Sequence, residues 1–190
     1  MERFVIHGAR GSYPVHGDAT RRYGGSTSCF SLETPQGLLI VDAGTGITAL
    51  GAALDQREVL PPITILLTHV HLDHIVGIPS FKPLLRTDAR ITFLSSAKIL
   101  GEWRRGLTTV IGRPIWPVDL TQLGAAVQFE ELPDAPSTRY GIGLSHCEVR
   151  HPQGCISYRL ETSRGAIVIA TDREHGDAAA DRRFMDWCAG

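Results

Sequence analysis

The sequence predicts an α/β protein whose mixed sheets are covered by helices. Three observations carry that expectation. Short runs rich in β-branched and aromatic residues recur along the chain, each bounded by Gly, Pro or Asp. Stretches with helical start signals fall between groups of these runs, not after all of them. With 190 residues, 43% of them hydrophobic, the chain has one domain's worth of core.

Taken in order, residues 3–7, 28–33, 37–42, 63–68, 90–94, 127–132, 142–149, 155–161 and 166–171 read as strands. The last of these, AIVIAT, is nearly all apolar and predicts a strand covered on both faces. Helices are expected over 46–55, after the turn-forming DAGTG, and over 72–78. A third is expected over 95–106, where Ser95 and Ser96 are candidate caps, and a fourth over 177–188, capped by Asp177. Residues 107–123, with two prolines in GRPIWPVDL and no clear period, read as a long surface excursion.

Composition excludes several classes of function. The formal net charge is −1, from 19 basic and 20 acidic residues, and no run of Lys or Arg marks a nucleic-acid groove or an anionic membrane surface. No stretch approaches the roughly 20 apolar residues of a membrane span. The opening MERFVIHGARGS lacks the apolar core of a signal peptide. The four cysteines, Cys29, Cys147, Cys155 and Cys188, form no C-x-x-C pair and fit a reduced, cytoplasmic protein.

The chemistry concentrates in LLTHVHLDHIVGIP. His69 and His71 are two apart, so on an extended segment both imidazoles face one point. Asp73 and His74 follow where the chain turns toward a helix, and can face a second point nearby. Neutral imidazole and carboxylate are the ligands of zinc and similar divalent ions. Burying four such groups without a metal would leave polar atoms unpaired, at about 1–3 kcal/mol each. His151 lies between two strands in HPQGC, and Asp172 closes an aliphatic run in IVIATD. A carboxylate at the end of a buried strand is costly unless it is paired or holds a metal. Cys147 and Cys155, four residues either side of His151, are further candidate ligands.

Other residues have weaker claims. Asp42 in IVDAGTG is either a partner that fixes the tautomer of a ligating histidine or a turn aspartate. Thr68 and Thr171 precede ligand positions and are placed to hydrogen-bond there. His16, Arg21 and Arg22 read as a solvated loop, and Trp103, Trp116 and Trp187 as core or interface residues.

The pattern His69-x-His71-x-Asp73-His74, followed by His151 and Asp172, resembles the metallo-β-lactamase superfamily. GARGSYP, RYGGSTSC and VDAGTG look like its ribonuclease Z-like and phosphodiesterase-like branch. The resemblance implies a four-layer αββα sandwich in a single domain over 1–190, and a metal-dependent hydrolase. It implies that His69, His71 and His151 hold one ion, that Asp73 and His74 hold a second, and that Asp172 bridges them. Asp73 and Asp172 are then the catalytic carboxylates. Two divalent ions are expected, zinc first, with manganese or iron also accepted by such donors. A divalent ion lowers the pKa of water from 15.7 to about 7, giving hydroxide at neutral pH.

The family's final histidine has no counterpart after His175, so the second half of the sandwich is expected to be incomplete and the chain truncated at its C-terminus. Self-association or a completing chain is expected to follow. The expected substrate is a small phosphodiester or ester, with no membrane partner and no long nucleic acid. The alternative is a metal-binding domain with little or no catalysis.

Overall fold

The computed structural model describes residues 1–110, 112–119 and 122–190. They form two compact units, Met1–Leu132 and Pro133–Gly190.

The first unit is built on a six-stranded sheet. Its strands are β1 (Arg3–Gly8), β2 (Cys29–Thr34), β3 (Gly37–Val41), β4 (Ile63–Leu66), β5 (Arg90–Ser95) and β6 (Ala126–Glu131), and they lie in that order across the sheet. The pairs β1–β2 and β2–β3 are antiparallel, whereas β3–β4, β4–β5 and β5–β6 are parallel. A two-residue loop suffices for β2–β3. Thr34 closes it by accepting from the backbone of Gln36 and Gly37. Parallel pairs need crossovers. These carry α1 (Ile47–Asp55), α2 (Leu72–Ile75) and α3 (Ala97–Val110).

Period-2 alternation sends Leu38, Ile40, Ile63, Ile65, Ile91 and Phe93 to one face, where they meet Ile47, Leu50, Leu54, Trp103 and Leu107 in one core. Leu39, Val41 and Leu66 point the other way and are buried as well. Burial on both faces is why β3 and β4 read as unbroken aliphatic runs. Trp103, wholly buried, meets Phe93 edge-to-face at 4.3 Å, a core role as expected.

The second unit is an antiparallel sheet in the order β10-β9-β8-β7. Its strands are β7 (Ser137–Arg139), β8 (Ile142–Val149), β9 (Cys155–Thr162) and β10 (Gly165–Ile169). Helix α4 (Ala178–Ala189) follows, and Asp177 Oδ1 accepts from Ala179 N and Ala180 N as the expected cap.

The sequence expectations hold in kind, with four differences. Helix α2 stops at Ile75, short of the expected 78. Strand β7 was not anticipated; its turn to β8 places Tyr140 and Gly141 at φ of 53° and 78°, a mirror-type hairpin turn that Gly allows and Tyr tolerates. Strand β10 lies at a sheet edge with Ala166 exposed and Ile167 and Val168 half-buried, so it is not covered on both faces. Helix α3 runs on to Val110, so the excursion expected from 107 begins as helix. Ile111, Leu120 and Thr121 of that excursion lie outside the described residues.

Candidate metal centre

The site of the first unit is built where β3 and β4 end. Asp42 directly follows β3 and is fully buried, at φ of 61°. A buried carboxylate is costly unless its oxygens are satisfied. Here the donors come from Ser28 before β2, Thr68 after β4 and His74 in α2. Oδ1 accepts from Thr68 N and Thr68 Oγ1, each at 2.9 Å. Oδ2 accepts from Ser28 Oγ at 2.8 Å and lies 2.7 Å from His74 Nδ1. Thr68 Oγ1, having given its one proton to Asp42, is left to accept from His69 Nδ1 at 3.0 Å. Both histidines are thereby set with the proton on Nδ1 and the lone pair on Nε2, the ligating form. Of the two readings open for Asp42, the structure supports the one that orients histidines, and Thr68 hydrogen-bonds within the site as expected.

The rings converge. His69 and His71 have centroids 4.4 Å apart, and His69 and His74 are 4.2 Å apart. His71 holds extended backbone before α2, which is why the i, i+2 spacing brings it beside His69. Within the single turn of α2, Asp73 Oδ2 comes 3.5 Å from His74 Nε2, and it accepts from Ser12 N at 2.6 Å. His69, Asp73 and His74 are buried and His71 partly so.

Two glycines permit this closeness. A Cβ on Gly44 would stand 2.2 Å from the Asp73 carbonyl, and one on Gly77 would stand 2.1 Å from the Gly44 carbonyl. Backbone bonds from Ala43 N to His74 O and from Gly77 N to Ala43 O lock the DAGTG loop to α2.

In the second unit, His151 sits in the β8–β9 loop, whose tight turn is made by Gln153 and Gly154 at positive φ. Asp172 follows β10 by three residues, as His69 follows β4. His151 Nε2 and Asp172 Oδ2 are 3.5 Å apart. Glu174, which the sequence reading missed, places Oε1 4.0 Å from His151 Nδ1 and is anchored by its N donating to Arg150 O. Its only sequence signal was the spacing of TDREH. His175 does not join them. It is exposed, with its Nδ1 2.9 Å from Arg173 Nη1 beside α4.

All four cysteines are free. Burial pushes the thiols of Cys29, Cys147 and Cys188 up. Arg21 pairs with Asp18 at the surface and Arg22 lies over Tyr23, consistent with a solvated loop. Nitrogen and carboxylate donors with tautomers already fixed fit a divalent metal ion.

A sequence model of the metallo-beta-lactamase superfamily matches residues 22–140, more than half of the chain. Ribonuclease Z of Clostridium tetani (strain Massachusetts / E88) is 28% identical over 66% of this chain and 42% of its own length. Among solved structures, the metallo-beta-lactamase fold protein YhfI from Bacillus subtilis is similar, with a TM-score of 0.65 at 17% identity, over 93% of this chain and 64% of that one. Human tRNase Z, short form, is similar with a TM-score of 0.59 at 15% identity, over 96% of this chain and 73% of that one. The chain therefore spans under half the length of its curated relative and just under two thirds of the Bacillus protein. The two structural likenesses show the expected fold, and with the family match they lead to one conclusion: this chain belongs to the metallo-beta-lactamase superfamily.

Proposed function

We propose that the chain is a metal-dependent hydrolase of small phosphodiesters. The observation that carries this reading is the buried Asp42–Thr68–His69 and Asp42–His74 network, which sets two imidazoles as ligands before any ion arrives. A site so organised wastes buried polar groups unless a metal uses them.

In this reading the two units are halves of one catalytic domain. His69, His71 and His151 hold one ion, Asp73 and His74 a second, and Asp172 serves both. When bound, the ions would supply Lewis acidity, which lowers the pKa of water and offsets negative charge developing on the phosphoryl and leaving oxygens. The chain's own residues do the rest. Asp73, held by Ser12 N, is placed to orient the nucleophile and receive its proton. His151 Nε2 lies 3.5 Å from Asp172 Oδ2, a spacing at which two donors can share one ion, and its Nδ1 lies 4.0 Å from Glu174 Oε1. Zinc is the first choice for such donors, with manganese and iron next.

Phosphodiesters are favoured because the curated relative is a ribonuclease Z, and small ones because the net charge of −1 offers no field for a long polyanion. Four free thiols fit the cytoplasm. Among the described residues, no helix is long and apolar enough to cross a membrane. The half-buried edge strand β10 favours self-association or cover by a second chain, which light scattering would read.

The test is metal content by elemental analysis, with hydrolysis of bis(p-nitrophenyl) phosphate on the same sample. The parent should bind metal and turn over. The His69→Ala/His71→Ala double variant should lose bound metal while remaining folded, and Asp172→Ala should lose both metal and turnover. Metal binding equal to the parent in the double variant would overturn the ligand assignment. Metal without turnover in the parent would support a metal-binding domain with little catalysis.

A further inference from the structure

A second cleft of about 260 Å³ opens in the first unit between the β1–β3 face and α1. It lies toward the start of β3, at Leu38, whereas Asp42 follows that strand's end. Four residues of strand span about 13 Å. Its volume falls just below the roughly 300–1,000 Å³ of drug-sized ligand pockets, so its occupant is small.

The lining divides by chemistry. One wall is apolar, from exposed Ala49 and Ala53 with the largely buried Leu38, Leu50 and Leu54. The other carries Arg3, His7, Glu33 and Arg57. Arg3 and Glu33 are cross-strand partners, the position at which opposite charges normally pair. Here Glu33 is taken: its Oε1 accepts from Arg57 Nη1 at 2.6 Å. Arg57 is itself fixed, because Arg86 Nη1 donates to its backbone carbonyl at 2.7 Å. Among the described residues the Arg3 guanidinium has no hydrogen-bond partner. His7 Nε2 lies 2.7 Å from Ser31 Oγ, and burial, then the charge of Arg3, holds the imidazole below its ordinary range. With His7 neutral, two arginines face one glutamate, a surplus of one positive charge beside an apolar wall.

We propose that this cleft binds a small monoanion with a short apolar body, a monocarboxylate, whose charged end is received by Arg3 and whose tail lies along Ala49, Ala53 and the accessible edges of Leu38, Leu50 and Leu54. A planar guanidinium with its donors free takes a carboxylate bidentately. A dianion such as a phosphate monoester exceeds the single surplus charge and meets repulsion from Glu33. A neutral molecule gains no charge-assisted bond from Arg3, whose donors then stay in water. The site is separate from the metal centre and does not depend on the hydrolase reading.

The experiment uses the full chain with its metal as isolated, and hexanoate as the probe. Binding is followed by calorimetry and by the His7 ring resonances. Hexanoate should bind and shift those resonances. Hexan-1-ol, with the same body and no charge, should bind about tenfold more weakly or worse, and inorganic phosphate should not compete. Arg3→Gln should lower hexanoate affinity by about tenfold or more, the loss of one charge-assisted interaction, with metal content unchanged. Arg3 is exposed, so this variant should fold, and Arg3→Lys should recover part of the affinity. No hexanoate binding, or binding that Arg3→Gln leaves unchanged, would overturn the proposal. Competition by phosphate on equal terms would overturn the assignment to monocarboxylates.

Discussion

Asp42 Oδ2 lies 2.7 Å from His74 Nδ1, with both side chains shut off from solvent. The carboxylate touches no position a substrate could reach, yet it governs which nitrogen of His74 faces outward. Asp42→Asn keeps the size and tolerates the positive φ, but it replaces one acceptor oxygen with an amide donor. The expected result is a loss of about 10–100-fold in metal affinity, measured by competition with a chelator, with the fold retained by circular dichroism. Unchanged affinity would remove Asp42 from the centre's support.

A pH dependence follows from His7. Burial and the neighbouring Arg3 hold its imidazole below the ordinary value of 6.5, so folding favours the neutral ring. Stability from that preference is complete above the unfolded value and is lost as pH falls below it, through the lower folded value. Ligand histidines titrate too, so the informative quantity is a difference. Chelator-treated parent and His7→Gln are compared by thermal melting from about pH 7.5 to about pH 5.5. The parent should lose more of its melting temperature than the variant. Parallel losses would show that His7 is not perturbed.

Glycines at two positions should respond oppositely to alanine. At Gly44 a Cβ would press on the Asp73 carbonyl at 2.2 Å and on Thr27 Oγ1 at 2.3 Å, so Gly44→Ala must displace α2. A cost of about 1–3 kcal/mol or more is expected, together with weakened metal binding. Gly101 lies inside α3, exposed, with nothing within 4 Å. There alanine gains helix propensity, and Gly101→Ala should stabilise by about 0.5–1 kcal/mol. Urea denaturation of both variants checks the pair, and a stabilised Gly44→Ala would contradict the packing described around Asp73.

The candidate centre was legible where its chemistry is dense along the chain. His69, His71, Asp73 and His74 fall within six positions, and strand periodicity already aims the first two together. The support beneath them was not legible to the same degree. Ser28, Asp42 and Thr68 are far apart in sequence and meet because β2, β3 and β4 are neighbours, and α2 brings His74 to the same carboxylate. Asp42 could be suspected from its strand-end position, but its four donors could not. Glu174 gave no signal beyond proximity to Asp172. Strand β7 escaped notice because three residues are too few to show alternation. Strand β10 misled because an apolar run reads alike at a covered position and at an edge.

The two-residue loop between β2 and β3 has a consequence for the order of assembly. A hairpin so short closes on a microsecond scale, whereas the β3–β4 pairing must first enclose the intervening α1 segment. Ser28 stands just before the hairpin and Asp42 just after it, at its open end. Local zipping therefore suffices to bring the hydroxyl and the carboxylate together, whereas Thr68 beyond β4 and His74 in α2 reach that acceptor only through the longer closure. The geometry presented to an ion therefore rests on one contact of short sequence separation and on others of long separation.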